Sequence, residues 1–163
     1  MDAPKKAPAT KKQKSSRITE GRSWPRAIAI GHRGVALTHS ELLANEILPC
    51  FPAIDIGFDL VSVHKNVLKR IQVKATEVTK AVTRNGMTFC LSRNKSGSSR
   101  NGVYAPSPCR HYSAQDADVF VFVHNVLRLF YVVPSSELNF ARHKISFKPD
   151  SKWANAWHVL RQP

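Results

Sequence analysis

The sequence predicts a small α/β fold with a mixed β-sheet, and three observations carry that expectation. A run at 34–50 has helical periodicity in its apolar residues. Two stretches, roughly 54–63 and 68–78, alternate Val, Ile, Leu and Phe with polar residues and read as strands. Two further β-branched and aromatic runs, Val119 to His124 and Leu129 to Val133, follow a long stretch rich in Ser, Gly, Asn, Pro and Arg. The implied order is helix, three strands, a loop or helix, then two strands.

Taken along the chain, residues 1–23 come first. They hold Lys5, Lys6, Lys11, Lys12, Lys14, Arg17 and Arg22 among Pro, Ala, Ser and Thr, with little to bury. The expectation is a disordered basic arm ahead of one domain over 24–163. The arm reads equally as a phosphate-contacting tail or a solubilising extension. In the 34–50 run, Leu37, Ala44 and Leu48 form a stripe, with Glu41 inside it. A later helix start also fits, because Thr38-x-x-Glu41 matches a capping box and Leu37 with Leu42 a hydrophobic staple. Pro49 is expected to end the helix. A third strand is expected at roughly 86–92, then a long loop over 93–111 of the kind that often carries function. Asn125 marks a tight turn between the last two strands. Trp153 and Trp157, four apart, are expected on one helix face, sealing the core or a subunit interface.

The chemistry concentrates in the first strand pair. His64-Lys65-Asn66 can turn the chain back as a hairpin, which brings Asp59 towards Gln72 and Lys74. Residues two apart on a strand share a face, so Gln72 and Lys74 point the same way. A carboxylate, an amide oxygen and an ammonium meeting at one spot could hold a hard divalent cation and a water beside a phosphate. The competing role for Asp59 is an ion pair with Arg70 or Lys74. Asp55 reads as an exposed strand start rather than a second ligand. His39, His64, His111 and His124 lack metal-ligand spacing and read as surface or loop residues.

Asp59 followed by Gln72-Val73-Lys74 resembles the D…(E/Q)xK signature of the PD-(D/E)xK nuclease superfamily. The Gln-Val-Lys form is similar to group I intron homing endonucleases and Holliday-junction-resolvase-like members. The likeness spans roughly residues 31–138. It includes the helical run carrying Glu41, the phrase Phe58-Asp59-Leu60-Val61, Tyr112 ahead of Asp116-Ala117-Asp118-Val119-Phe120-Val121, and Tyr131-Val132-Val133-Pro134. The departures are Gln72 where Glu is usual, and Ile54-Asp55 where many members carry Pro-Asp further upstream. The resemblance implies a restriction-endonuclease-like core, a central mixed sheet flanked by helices in the order αβββαβ. It implies Mg²⁺-dependent hydrolysis of DNA phosphodiesters, with Mn²⁺ as a substitute. The ion is expected on Asp59, the Gln72 side-chain oxygen, the Val73 carbonyl and Glu41, with Lys74 steadying water and phosphate. Glu41 enters because the superfamily often places a Glu on the first helix; its competing role is the capping-box partner of Thr38. Glu46, about 140° further round the helix, cannot share that face. Tyr112 and Asp118 are expected to be structural, Tyr112 by capping the core.

Charge points to the same class of partner. Lys and Arg number 25 against 11 Asp and Glu, a formal charge of +14. Such an excess favours a polyanion, because bound Lys and Arg release its counterions. The candidate phosphate contacts are Lys65, Lys69, Arg70, Arg84, Arg93, Lys95, Arg100 and Arg110. No apolar run approaches the roughly 20 residues of a spanning helix. Cys50, Cys90 and Cys109 form no C-x-x-C pair, which argues against a zinc site and for free thiols in a reducing cytoplasm. A nuclear-localisation reading of the basic arm has little specificity. Cutting both strands of a duplex with one site per chain calls for a homodimer or higher symmetric oligomer. The substrates expected are duplex or branched DNA. The rival readings are a ribonuclease of the same fold and a non-catalytic nucleic-acid-binding protein, the latter kept open by Gln72.

Overall fold

A computed structural model describes residues 24–54, 57–78, 82–83, 86–93, 99–100, 103–104 and 110–162. The expected basic arm at 1–23 lies outside the described residues. The first element is α1 (Trp24–Ala44). The strands follow as β1 (Leu48–Cys50), β2 (Leu60–His64), β3 (Val67–Thr76), β4 (Val82–Thr83), β5 (Gly86–Cys90), β6 (Ser92–Arg93), β7 (Ser99–Arg100), β8 (Val103–Tyr104), β9 (Arg110–His111), β10 (Val119–His124), β11 (Leu129–Pro134) and β12 (Lys144–Phe147). Short 3-10 turns lie at Ser135–Glu137 and Trp157–Arg161. Among the described residues no helix is long and apolar enough to cross a membrane.

The main sheet has the order β1-β2-β3-β10-β11, with β3 and β10 parallel and the other neighbours antiparallel. It is the mixed α/β sheet that the sequence predicts. The β2–β3 hairpin turns on Lys65 and Asn66, whose φ angles of 46° and 65° give the left-handed pair that matches strand twist. Alternation along the strands then divides the core in two. Leu60, Ile71, Val73, Val119, Val121, Phe130 and Val132 face α1 and the C-terminal 3-10 turn. Phe120, Phe122, Tyr131 and Val133 face the second sheet, ordered β12-β5-β4, with Met87, Phe89 and Phe147.

Several boundaries differ from the sequence reading, each for a local reason. The helix begins ten residues earlier than 34 and stops before Pro49. Gly31 and Gly34 hide its first half in sequence, since glycine is a poor helix former. Gly34 is there for packing: a Cβ built on it would lie 2.4 Å from the Ala75 Cβ of β3. Thr38 is buried mid-helix, and its Oγ1 donates to the Gly34 carbonyl at 2.9 Å, so it caps nothing. Asn45 closes the helix by donating from Nδ2 to the Glu41 carbonyl at 2.8 Å. Pro49 sits in the edge strand β1, where a missing N–H costs no ladder bond on the open side. Residues 54, 57, 58 and 59 precede β2 instead of belonging to it, and the strand at 86–90 joins the second sheet, not the first.

Of the loop or helix expected between the third strand and β10, the described residues show a turn over 114–116, without the second helix of the αβββαβ order. Trp153 lies in a turn ahead of the 3-10 segment, so it and Trp157 share no helix, though both seal the core. Trp157 packs on Phe130 with ring centroids 5.6 Å apart. His124 is not a surface residue: it is fully buried at the end of β10, where Nδ1 accepts the Leu127 N–H at 3.1 Å and closes the turn.

Where β3 meets β10, Arg70 and Asp118 lock the parallel register. The Arg70 N–H donates to Asp118 Oδ2 at 2.7 Å, Nε to the same oxygen at 3.1 Å, and Nη2 to Oδ1 at 2.8 Å. The Asp118 N–H returns a bond to the Arg70 carbonyl at 2.9 Å. The Arg70 side-chain hydrogen bond holds the Asp118 carboxyl below the usual carboxylate range, and the same bond raises the guanidinium.

Two predictions come from this packing. Gly34→Ala should lower stability, by ~1–3 kcal/mol for overpacking, set against about 1 kcal/mol of helix propensity gained over glycine; urea unfolding with an unchanged m-value measures it. Because the Asp118 pKa is depressed on folding, its contribution is fully present above about pH 3.9 and is lost as pH falls through the lower native value. Asp118→Asn should therefore flatten the acid limb of a stability–pH curve below about pH 4. An acid limb as steep as that of the parent chain would place the titrating groups elsewhere.

Candidate active site

β3 is covered unequally on its two edges. β10 runs beside it from Ile71 to Thr76, whereas β2 ends with the pair Leu60↔Ile71. Beyond Ile71 one edge of β3 is therefore open on the β2 side. Asp59 stands at that corner. Its N–H donates to the Ile71 carbonyl at 2.9 Å, which continues the ladder by one bond. Its carboxylate then turns across the open edge and accepts the Val73 N–H at 2.7 Å. Gly57, with φ 94°, supplies the left-handed bend that delivers the chain to this corner.

Gln72 and Lys74 project from the same face of β3, as their spacing predicts. Gln72 is buried, and its Nε2 donates both to Asp59 Oδ2 and, at 3.2 Å, to the Val73 carbonyl. A carboxylate oxygen and a main-chain oxygen thus converge on one carboxamide nitrogen. A cation in the place of that N–H₂ would meet the same two oxygens, and a half-turn of the carboxamide adds Oε1 as a third. All are hard oxygen donors, which suit Mg²⁺, Mn²⁺ or Ca²⁺ better than a soft metal. The residues present fit a hard divalent ion.

Lys74 reaches away from the strand to the far wall. Its Nζ donates to the Tyr112 hydroxyl at 2.8 Å and lies 4.3 Å from that ring's centroid. Asp59, Gln72, Val73, Lys74 and Tyr112 line a cavity of about 490 Å³, closed by Phe89, Cys90 and Ser92 on one side and by Ala27 and Gly31 of α1 on the other. Burial raises the Cys90 thiol, but the Ser92 hydrogen bonds and the Lys74 and Lys144 charges outweigh it, and the pKa falls below its ordinary value. A smaller adjoining hollow is lined by Ile28, Gly31, His32 and Val35 together with Asp59 and Val73.

The structure thus brings together Asp59, Gln72, Val73 and Lys74, and it does not bring Glu41. The helix passes the cleft at residues 27–35. Glu41 is ten residues beyond Gly31, about 15 Å along the axis at about 1.5 Å per residue. Among the described residues no group of three or more His, Cys, Asp or Glu gathers at one point. His32 and Tyr112 are the cleft residues whose place the sequence alone did not give. His32 falls in the helical turns masked by glycine, and Tyr112 is separated from Lys74 by 38 positions.

The expected phosphate contacts divide similarly. Lys65 is exposed on the β2–β3 turn and Lys69 is half-buried on β3. Arg70 keeps its side chain 40% exposed while its guanidinium is shared by Asp118 and, at 2.7 Å, the Gln115 carbonyl. The β6–β9 ribbon sets Arg93 opposite Arg110 in the backbone register, and Arg100 pairs with Val103. Arg84, Lys95 and Asp55 lie outside the described residues.

Comparison with known proteins bears on the fold and the family. No curated protein matches the chain. Among solved structures, the bacterial homing endonuclease I-Ssp6803I superposes with a TM-score of 0.62 at 23% identity, covering 83% of this chain and 93% of that one. That likeness establishes a shared fold, the restriction-endonuclease-like α/β core that the D…QxK resemblance implies. The family model described as PD-(D/E)XK endonuclease matches residues 28–160, across both walls of the cleft and the whole main sheet, and the chain belongs to that endonuclease family.

Proposed function

We propose that this chain is a divalent-metal-dependent DNA endonuclease whose centre is Asp59, Gln72, the Val73 carbonyl and Lys74. The observation that carries the reading is the convergence of Asp59 Oδ2 and the Val73 carbonyl on the Gln72 carboxamide, with Lys74 on the same strand face. Mg²⁺, with Mn²⁺ as a substitute, would supply charge for a phosphate oxygen and acidify a water. Asp59 provides the anionic ligand. Gln72 and Val73 add neutral oxygens, and Lys74 offers a fixed positive charge for the developing phosphorane oxygens. Glu41 has no part in this centre. α1 presents Ala27, Ile28, Gly31, His32 and Val35 instead.

DNA as substrate is supported by the formal charge of +14 and by the fold shared with a homing endonuclease. Cleaving both strands of a duplex with one centre per chain requires a second copy, so a homodimer or a larger symmetric assembly is part of the proposal. Gln72 favours one alternative: a protein that keeps the fold and binds nucleic acid without cutting it, since an amide is a weaker ligand than a carboxylate.

Plasmid cleavage in Mg²⁺ or Mn²⁺ that stops with EDTA tests the reading. Asp59→Asn and Lys74→Ala should each lower the rate by roughly 100-fold or more while DNA affinity stays within a few-fold. Gln72→Glu should keep cleavage or change metal preference, and Gln72→Ala should lose it. Cleavage undiminished in EDTA would overturn the mechanism. Mn²⁺ titration separates the non-catalytic alternative, which need take up no metal at all.

A further inference from the structure

We propose that Tyr112 is a positioning residue for Lys74, holding its ammonium over the cleft by two restraints at once. This rests on the centre proposed above and deepens it. A lysine side chain has four rotatable bonds and about 2 kcal/mol of rotamer entropy to lose before its charge acts at a fixed point. Here the hydroxyl of Tyr112 accepts from Nζ at 2.8 Å, and the centroid of the same ring lies 4.3 Å from Nζ, within cation–π range. One restraint fixes direction and the other fixes depth.

The ring that does this is itself held. Tyr112 is only 5% exposed, and Phe120 meets it edge-on, with centroids 5.3 Å apart and planes at 85°. Phe120 is the partner of Gln72 in the β3–β10 register, and Phe122 is the partner of Lys74. The same parallel ladder thus sets the Gln72 carboxamide and, through Phe120 and Tyr112, the Lys74 ammonium. Merely capping the core would require the ring of Tyr112 but not its hydroxyl, and the hydroxyl is what meets Lys74.

The test uses the full chain with ¹⁵N-labelled lysine, Tyr112→Phe and Tyr112→Leu variants, and Lys74→Arg to assign the resonance. Tyr112→Phe preserves shape, so it reports on the hydroxyl even if Tyr112→Leu folds poorly. In the parent chain the Lys74 ammonium should be protected from exchange and shifted by the ring. Tyr112→Phe should lose the protection and keep the ring shift, and Tyr112→Leu should lose both. Single-turnover cleavage should fall about 10-fold and about 100-fold respectively, the scale of a displaced catalytic group, with DNA affinity unchanged within twofold. A Lys74 signal indifferent to both substitutions, or a parent cleavage rate in Tyr112→Phe, overturns the positioning role. A parent chain that cleaves no DNA while its Lys74 signal responds as described overturns the proposed endonuclease instead and leaves the positioning in place.

Discussion

The parallel pairing of β3 with β10 is the constraint on which the rest of the molecule depends. Two parallel strands cannot be joined by a tight turn; the chain must leave the sheet and return. In this protein the excursion after Thr76 builds β4 and β5, which with β12 cover the aromatic face of the main sheet. It then returns through the β6–β9 ribbon and Tyr112 to the start of β10. The strand that carries Gln72 and Lys74 is thereby central on one edge and open on the other. The open edge is where Asp59 can reach main-chain groups that a full ladder would have consumed.

The carboxylates on either side of β3 have different partners. Asp118 is bound by the Arg70 guanidinium through two bonds and by the Arg70 main-chain N–H through a third, and it serves as a clamp. Asp59 accepts a backbone N–H from Val73 and a side-chain amide N–H from Gln72, two neutral donors. Withdrawing a neutral donor from a carboxylate leaves behind an acceptor that a cation can satisfy, whereas withdrawing a guanidinium would separate two charges. The proposed chemistry is accordingly assigned to Asp59 and the mechanical role to Asp118, although both accept a main-chain N–H from β3.

The hairpin and the meeting of Asp59 with Gln72 and Lys74 beside it were legible in the sequence because their relations are local. A two-residue left-handed turn sets the β2–β3 register, and alternation then decides which side chains share a face. What was not legible depends on distant contacts. Glycines 31 and 34 lower helix propensity but serve close packing against Ala75 and the open wall of the cleft. Thr38 and Glu41 imitate a capping box in the middle of a helix whose start lies elsewhere. Without knowing where α1 crosses β3, no spacing rule could show that the helix passes the cleft around Gly31, ten residues before Glu41. The pairing of Arg70 with Asp118 was not legible because the two lie 48 positions apart.

That separation also governs how the chain is made. Asp59 and the β2–β3 hairpin that follows it, with Gln72 and Lys74, emerge early from the ribosome. A lone two-stranded hairpin is marginal in water, however. β3 gains its second neighbour only when Val119–His124 has been synthesised, and Tyr112 has its edge-on support only when Phe120 arrives. Contacts so far apart in sequence close slowly and late. A nascent or truncated polypeptide ending before β10 has every ionisable group of the cleft except a sheet to hold them. Completion of the chain is in this way a condition for assembling the cleft, a built-in delay between translating these residues and bringing them together.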